Sequence, residues 1–209
     1  MAMKDQKIED FLNALSSSST PGGGGAAGLV AAVGMALGDM VLSLTTGKKK
    51  YEAYQDEINT LMDKADELQE KLLISMDKDA EAFEPLAKAY AMPKDTFEEV
   101  DKRNQVMEEA LYDAAKAPLD MMHLIIEAML VIERVAEIGS KLAISDAGCG
   151  IQMCGAALNS ASLNVYINTK MMNDRILAMR FEKEAEEMLM EGAHIVARTY
   201  QNVLNQIRK

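Results

Sequence analysis

The chain alternates between segments with a one-sided apolar stripe and segments that are apolar all round. Ile8, Phe11 and Leu15 recur at helical spacing and predict a short first helix, which the following run of serines ends. The next apolar segment, AAGLVAAVGMALGDMVLSLTT, has no polar face and is either a buried central helix or a membrane span. Asp39 and the three glycines within it favour burial, as do the amphipathic helices that follow it, which a lone span would leave unexplained.

Two long amphipathic helices come next. The first has apolar residues at steps of three, four or seven, with Pro85 expected to bend it late. Thr96 and Glu99 form a predicted capping box for the second. Pro118 is expected to kink or break that helix, because an interior proline removes a hydrogen bond at a cost of about 3 kcal/mol, and Gly139 is its predicted end. The stripe of the first long helix is Ile58, Leu61, Ala65, Leu68, Leu72, Met76, Phe83 and Leu86.

A second segment rich in small residues, DAGCGIQMCGAALNSASLNVYINTKMM, predicts a helix capped by Ser145 or Asp146. It mirrors the glycine-rich second helix, and two such helices indicate a tight mutual contact or a symmetric dimer seam. Asn173 and Asp174 predict the turn and cap before the last helix. The predicted stripe of the last helix is Ala178, Phe181, Ala185, Leu189, Val196, Tyr200, Val203 and Ile207.

These elements predict an all-α fold, a single-domain bundle of six or seven helices around a buried glycine- and alanine-rich helix. No internal repeat or linker divides the chain, so one domain is assigned to residues 1–209, with residues 1–3 treated as an addition ahead of the fold. Composition agrees, since 4 Pro, no Trp and abundant Ala, Leu, Glu and Lys are typical of helical proteins.

Charge and cysteine usage narrow the class of function. The chain has 22 Lys and Arg against 33 Asp and Glu, a net charge of −11, which argues against a general nucleic-acid binder. Cys149 and Cys154 form neither a disulfide framework nor a paired zinc motif, so a reducing compartment is expected. The first twenty residues lack an apolar core of the secretory type, and the predicted location is the cytoplasm, with no membrane partner.

The second helix opens on a glycine run, defined here as Gly22, Gly23, Gly24 and Gly25. The run contains a G-x-G-x-x-G pattern, but serines, a threonine and a proline precede it where a dinucleotide fold needs a strand. Free backbone N–H groups at a helix N-terminus can still hold an anion or a polar ligand. The alternative is that the glycines only permit a tight turn and close packing.

Two sequence spacings match helical di-metal sites. Glu191 and His194 are three residues apart, and Asp120 and His123 repeat the spacing more weakly. At about 100° per residue these side chains point away from the apolar stripes of their helices. We therefore expect surface histidines and no metal site, and keep a metal-binding bundle as the less favoured alternative.

Two aspartates lie on the first long helix. Asp79 falls on the apolar stripe between Leu72 and Phe83, where a carboxylate is unfavourable unless it is paired or functional. Asp77 lies on a flank that can face a second helix or a cleft. Periodicity alone favours Asp79 as a functional group, and the alternative is a structural carboxylate that is hydrogen-bonded or ion-paired.

Three further features are candidates for ligand binding. The first is a lysine run, defined here as Lys48, Lys49 and Lys50, which is a solvated surface or a site for an anionic tail. The others are Asn164 and Asn168, one turn apart on the second small-residue helix. Their amides tie helices together or read the edges of a heterocycle.

Four segments in one order carry a family resemblance: STPGGGGAAG, LTTGKKKY, MDKDAEAF, and ISDAG with LNVYIN. Together they resemble the cyclodeaminase/cyclohydrolase family, which includes the cyclodeaminase part of formimidoyltransferase-cyclodeaminase and free-standing bacterial methenyltetrahydrofolate cyclohydrolases. The match runs from about Ile8 to the C-terminus. The resemblance implies an all-α homodimer, a folate substrate and a catalytic aspartate at the first Asp of D-x-D-A-x-A-F, here Asp77, with Asp79 as second choice.

A folate substrate would suit the candidate residues. Its glutamate carboxylates match the lysine run and the glycine run, and its pterin matches Asp146, Asn164 and Asn168. A carboxyl group can move the proton in either reaction of the family, hydrolysis of 5,10-methenyltetrahydrofolate or deamination of 5-formimidoyltetrahydrofolate, and neither step needs a metal or redox cofactor.

Two points about partners and class stay open. The 209 residues contain no formimidoyltransferase domain, so a separate formimidoyltransferase is an expected partner for the deaminase reaction. The alternative to an enzyme is a non-enzymatic helical binding module, which 17 methionines and the two small-residue helices would suit.

Overall fold

The computed structural model describes residues 2–18 and 20–208, and all regular structure within them is helical. The six α-helices are α1 (Ile8–Leu15), α2 (Gly23–Ser43), α3 (Gln55–Tyr90), α4 (Phe97–Ile138), α5 (Ile144–Thr169) and α6 (Arg175–Ile207). Short 3-10 helices cover Met3–Asp5 and Lys49–Tyr54. The all-α prediction is confirmed.

Helices α2, α3, α4 and α5 form an antiparallel four-helix bundle, and α6 packs on α4 and α5. The start of α2 lies beside the later parts of α3 and α5: Gly24 adjoins Asp79 of α3, and Gly23 adjoins Asn164 of α5. We call this the glycine end of the bundle. The opposite end, where α2 stops and α3 and α5 begin, is the lysine end.

Helix α2 is long and apolar enough to cross a membrane, with 56% of its most apolar 18-residue window buried in the protein. It packs against α3, α4 and α5, which is the placement expected of a central helix of the fold. The remainder of the window lies on the surface.

The predicted tight contact between the two small-residue helices is confirmed. A Cβ built on Gly34 of α2 would lie 2.8 Å from the carbonyl oxygen of Gly150 of α5, and one built on Gly150 would lie 2.6 Å from the oxygen of Gly34. The two backbones therefore touch directly, and neither position has room for a methyl group.

Both interior prolines lie inside unbroken helices, so of the two outcomes expected at Pro118, a kink or a break, the break does not occur. A proline at this position has no N–H to donate to the carbonyl of residue 114. The Nδ2 of Asn168 on α5 donates to that Ala114 oxygen at 2.7 Å. The side chain supplies the hydrogen bond that the proline cannot make, and the α4 helix continues through it.

Local capping predictions gave mixed results. The capping box of Thr96 and Glu99 is present, Asp174 caps α6 through bonds to Ile176 and Leu177, and Gly139 follows α4. Helix α5 instead begins at Ile144 without a side-chain cap, so the caps predicted at Ser145 or Asp146 are wrong.

The predicted stripe of α6 is correct in its first half and drifts afterwards. Tyr200 is 43% exposed and Ile207 is 54% exposed, so neither belongs to the core. The helix period of 3.6 residues rotates the contact surface to other positions. The residues that α6 buries are Ala178, Phe181, Ala185, Met188, Gly192, Ile195, Thr199 and Val203.

Candidate active site

A cavity of about 290 Å³ lies at the glycine end of the bundle. It brings together candidates from three separate stretches of sequence: Gly22 and Gly23 at the start of α2, Asp79 from α3, and Asn164 with Asn168 from α5. The antiparallel order of the bundle places these helix segments side by side. The other residues that line the cavity are Ser18, Thr20, Ala80, Phe83, Ala114 and Ile167.

The Asp79 carboxyl group lies directly against the start of α2. A Cβ built on Gly24 would come within 3.0 Å of the Asp79 carboxyl carbon and of both its oxygens. Among the described residues the carboxyl has no hydrogen-bond or ion-pair partner, and burial raises its pKa to about 6. Asp79 therefore has the properties of a general acid or base that works near neutral pH.

Asp77 lies on the other side of the same helix entrance. Its Oδ1 accepts a hydrogen bond from the backbone N–H of Met3 at 3.0 Å, and the Met3 sulfur adjoins Gly25. Asp77 is half-buried and does not line the cavity. Met3 is therefore in contact with the start of α2 and with α3.

The two asparagines combine a structural bond with an unused acceptor. Asn168 is buried and donates from Nδ2 to the oxygens of Ala114 and Asn164, so the predicted tie between helices is confirmed for it. Asn164 donates from Nδ2 to the Ser160 oxygen at 2.9 Å. The Oδ1 of each receives no hydrogen bond from a described residue and is available to a donor in the cavity.

Helical periodicity predicted a core position for Phe83. The Phe83 side chain is instead 40% exposed and lines the cavity. Phe83 follows Asp79 by four residues, so the two share one face of α3. That spacing is the signal that would have placed the ring in the site. Ile167, which is 58% exposed, was not singled out either.

The lysine run and Asp146 lie at the lysine end, away from this cavity. Helix α2 rises about 30 Å between Gly23 and Ser43 at about 1.5 Å per residue. The structure therefore brings the glycine run, Asp79, Asn164 and Asn168 together within one chain, and it leaves the lysine run and Asp146 at the opposite end.

The loop that carries the lysine run is held firmly. Thr45 is fully buried and bonds to the Val41 oxygen and to the Ser140 N–H. Gly47 has a φ of 69°, a backbone conformation that favours glycine, and its N–H donates to Gln55. All three lysines are exposed, and Lys48 and Lys49 line a shallow concavity of about 310 Å³ with Gly47 and Glu52.

The histidines lie on the surface, as expected. His123 is exposed and hydrogen-bonds to Glu184 at 2.7 Å, and His194 is exposed. No group of three or more His, Cys, Asp or Glu side chains in the described part of the chain is arranged to hold a metal ion.

A larger groove of about 700 Å³ runs along the outer side of α3 and α4. Its lining mixes lysines with carboxylates, including Lys71, Lys78, Glu81 and Asp113. It contains neither Asp79 nor any residue of the glycine run, and its charges do not favour a ligand of one sign. The smaller cavity is the better site because chemistry-bearing groups converge on it.

The fold and the cavity define an all-α protein with an unpaired carboxyl group at a glycine-rich helix start. The sequence profile of the family described as Formiminotransferase-cyclodeaminase matches residues 7–187. The chain belongs to this family.

Individual relatives agree with the family assignment. The chain is 40% identical to methenyltetrahydrofolate cyclohydrolase of Methylorubrum extorquens, over 97% of this chain and 98% of that protein. It is 27% identical to formimidoyltransferase-cyclodeaminase of Rattus norvegicus, over 91% of this chain and 36% of the rat protein. The crystal structure of formiminotetrahydrofolate cyclodeaminase from Thermotoga maritima matches with a TM-score of 0.81 and 30% identity, covering 98% and 97% of the two chains.

Proposed function

We propose that the protein acts on the C–N bonds of the one-carbon bridge of reduced folates, with hydrolysis of 5,10-methenyltetrahydrofolate to 10-formyltetrahydrofolate as its principal reaction. The half-buried Asp79 carboxyl at the glycine end, whose pKa is raised to about 6, carries the proposal. The match of nearly full length to a methenyltetrahydrofolate cyclohydrolase supports the choice of reaction.

Asp79 is the proton carrier in this proposal. Water adds to the carbon between N5 and N10 and gives a proton to the Asp79 carboxylate. The protonated Asp79 then protonates N5 as the C–N5 bond breaks. The hydroxyl left on the carbon releases its proton to solvent and becomes the formyl carbonyl. A carboxyl group with a pKa of about 6 takes both roles readily near neutral pH.

The remaining groups of the cavity position the substrate. The Oδ1 atoms of Asn164 and Asn168 suit the N–H groups of a pterin, and Phe83 offers a ring face for it. The start of α2 presents backbone N–H groups to a polar or anionic part of the substrate. The lysine run lies outside this cavity in the same chain, so its assignment to the glutamate carboxylates of the folate requires a second copy of the chain. None of these steps requires a metal or redox cofactor.

Deamination of 5-formimidoyltetrahydrofolate is the second candidate. The structural similarity to the cyclodeaminase of Thermotoga maritima favours it. Here N10 attacks the carbon of the protonated formimidoyl group, and the N10 proton passes to Asp79. Asp79 returns that proton to the departing NH2 group, which leaves as ammonia while N5, the carbon and N10 form the methenyl cation. In this case a separate formimidoyltransferase supplies the substrate. We place either reaction in the cytoplasm, in a homodimer.

Two parallel assays test the function. Purified protein is given 5,10-methenyltetrahydrofolate while its absorbance is followed, and separately 5-formimidoyltetrahydrofolate while ammonia release is measured. Turnover of the first at the higher kcat/KM is expected. Faster turnover of the second would reverse the order of the candidates, and turnover of neither, together with saturable folate binding, would indicate a binding protein.

Paired variants identify the proton carrier. Asp79→Asn is expected to lower kcat by about 10²-fold or more, and Asp77→Asn is expected to retain most activity. In the Asp77→Asn protein, kcat/KM for hydrolysis rises as the pH passes about 6, as in the unaltered protein. Loss of activity in Asp77→Asn alone, with circular dichroism unchanged, would return the role to the aspartate that the family resemblance implied.

A further inference from the structure

One exposed surface of the bundle is apolar along most of its length. We call it the α2–α5 face. On α2 it includes Val33, which is 44% exposed, and on α5 it includes Leu163, which is 68% exposed. Contiguous apolar surface of this kind marks an interface. The other large apolar side chains of the face are Val30, Met40, Met153 and Ile167.

The active-site cavity opens onto this face. A second concavity of about 450 Å³ shares Gly23 and Asn164 with the Asp79 cavity. It continues along the α2–α5 face, where Val30 and Leu163 line it. A substrate that reaches Asp79 therefore extends across a surface that a second protein would cover.

Unpaired charges of opposite sign lie near the two ends of the face. No residue of the lysine run forms an ion pair within 4.0 Å in the described part of the chain; Lys50 only lies over the Tyr51 ring at 5.4 Å. At the other end the Asp79 carboxyl has no cationic partner among those residues. About 30 Å of helix separates the two ends, which is longer than a folate with one glutamate.

A second copy of the chain can bring a lysine end next to a glycine end. In a dimer that pairs the α2–α5 face with itself, the two-fold axis lies in the plane of the face. An axis along the helices would put the two lysine runs side by side, where like charges repel. An axis across the helices puts the lysine end of one copy against the glycine end of the other, so that opposite charges meet.

We propose that each active site is completed by the partner copy, whose lysine run lies at the mouth of the Asp79 cavity and binds the carboxylates of the folate tail. The proposal rests on the proposed function, since it assigns the tail of that substrate to the partner. The carboxyl that moves the proton and the lysines that hold the tail then belong to different chains.

Crossed heterodimers test the arrangement. Chains with two different affinity tags are co-expressed and purified through both tags, and turnover of methenyltetrahydrofolate is measured below the KM of the unaltered protein. In the first heterodimer one chain carries Asp79→Asn and the other carries Lys48→Gln, Lys49→Gln and Lys50→Gln. One composite site is then intact, and about half the activity of the unaltered dimer is expected.

The second heterodimer pairs an unaltered chain with a chain that carries all four substitutions. Each composite site then has one defect, and activity close to none is expected. Sites built within single chains give the opposite pattern, with no activity in the first heterodimer and half in the second. That result would overturn the proposal, as would a monomeric protein in light scattering or a fully active lysine-substituted homodimer.

The unaltered dimer separates this proposal from the proposed function. If it turns over neither folate, the proposed function fails. If it is active and the crossed heterodimers follow the single-chain pattern, only the composite site fails. Circular dichroism of each homodimer shows that the exposed lysines were replaced without loss of the fold.

Discussion

Asp79 is a group whose protonation is linked to the stability of the protein. Its pKa is raised from 3.8 to about 6 by burial, so below pH 3.8 the carboxyl is neutral in both the folded and the unfolded chain. Between these values the folded state holds a proton that the unfolded state has lost, and stability therefore falls as the pH rises. Above about pH 6 the whole penalty is present, on the order of 3 kcal/mol.

Asp79→Asn removes this penalty without changing the shape of the side chain. We expect the free energy of unfolding of the variant to exceed that of the unaltered protein at pH 7.5, and the advantage to shrink towards pH 4. Urea unfolding at the two pH values measures the difference. An advantage that does not depend on pH would show that the carboxyl is not shifted by burial.

Gly24 and Gly22 provide a matched pair of substitutions at the cavity. A methyl group at Gly24 would occupy the space of the Asp79 carboxyl, whereas nothing lies within 4 Å of a Cβ at Gly22. Gly24→Ala is therefore expected to displace the carboxyl and lower kcat by about 10²-fold, the loss expected when a general acid or base is misplaced.

Gly22→Ala is the control. Its φ of −114° is open to alanine, and a change of helix N-cap alters stability by about 1 kcal/mol at most. Because no atom lies within 4 Å of a Cβ at Gly22, the Asp79 carboxyl stays in place, and kcat is expected to fall far less than in Gly24→Ala. Equal losses of kcat in the two variants would mean that the glycine run acts through its backbone conformation and not through the room it leaves for Asp79.

At the level of single elements, the passage of α4 through Pro118 depends on a side chain of another helix. Asn168→Ala leaves the buried Ala114 carbonyl without a donor, which costs about 1–3 kcal/mol. Pro118→Ala restores a backbone N–H that bonds to the same oxygen. The loss from Asn168→Ala is therefore expected to be smaller in the Pro118→Ala protein than in the unaltered one.

Urea unfolding of the four proteins of this double-mutant cycle measures the coupling between the two positions. Additive effects would show that the Asn168 bond does not replace the one that Pro118 omits. The measurement concerns stability alone, so it is independent of any role of Asn168 in binding substrate.

The same elements show what could be predicted from sequence. Helix ends with a local signal, such as the Thr96 and Glu99 capping box and the Asp174 cap, were predicted correctly because their hydrogen bonds join neighbours in the chain. The effect of Pro118 was missed because its compensation comes from Asn168, 54 residues away from Ala114. The spacing of residues along the sequence does not reveal such a distant hydrogen-bond donor.

The site was predictable in composition more than in arrangement. Periodicity favoured Asp79 and the resemblance favoured Asp77, and both lie beside the glycine run, in different surroundings. Grouping the lysine run with the glycine run ignored the length of the helix between them. Twenty residues of helix rise about 30 Å, so the sequence already contained the separation that the structure shows.

At the scale of the whole molecule, the α2–α5 face is the proposed interface of the homodimer. Leu163→Glu places a charge within that face, where the side chain is 68% exposed. Burying an unpaired charge between two copies is strongly unfavourable, so the variant is expected to be a monomer with lowered activity. Light scattering coupled to size-exclusion chromatography measures the mass, with the unaltered protein expected at twice the mass of one chain.

Ile176→Glu is the matched control, since Ile176 is 85% exposed at the start of α6. Its substitution adds the same charge away from the face and is expected to leave the dimer intact. A dimer that survives Leu163→Glu and dissociates with Ile176→Glu would move the interface to α6.

The apolar α2–α5 face also has a consequence for the newly synthesised chain. The proposed dimer covers this face, so before pairing the folded monomer exposes its valine, leucine, isoleucine and methionine side chains to water. Such surfaces bind chaperones and favour aggregation when copies associate in the wrong orientation. Yield of usable protein should therefore depend on how quickly correct pairing follows translation, so that slow expression at low temperature gives more material than rapid induction.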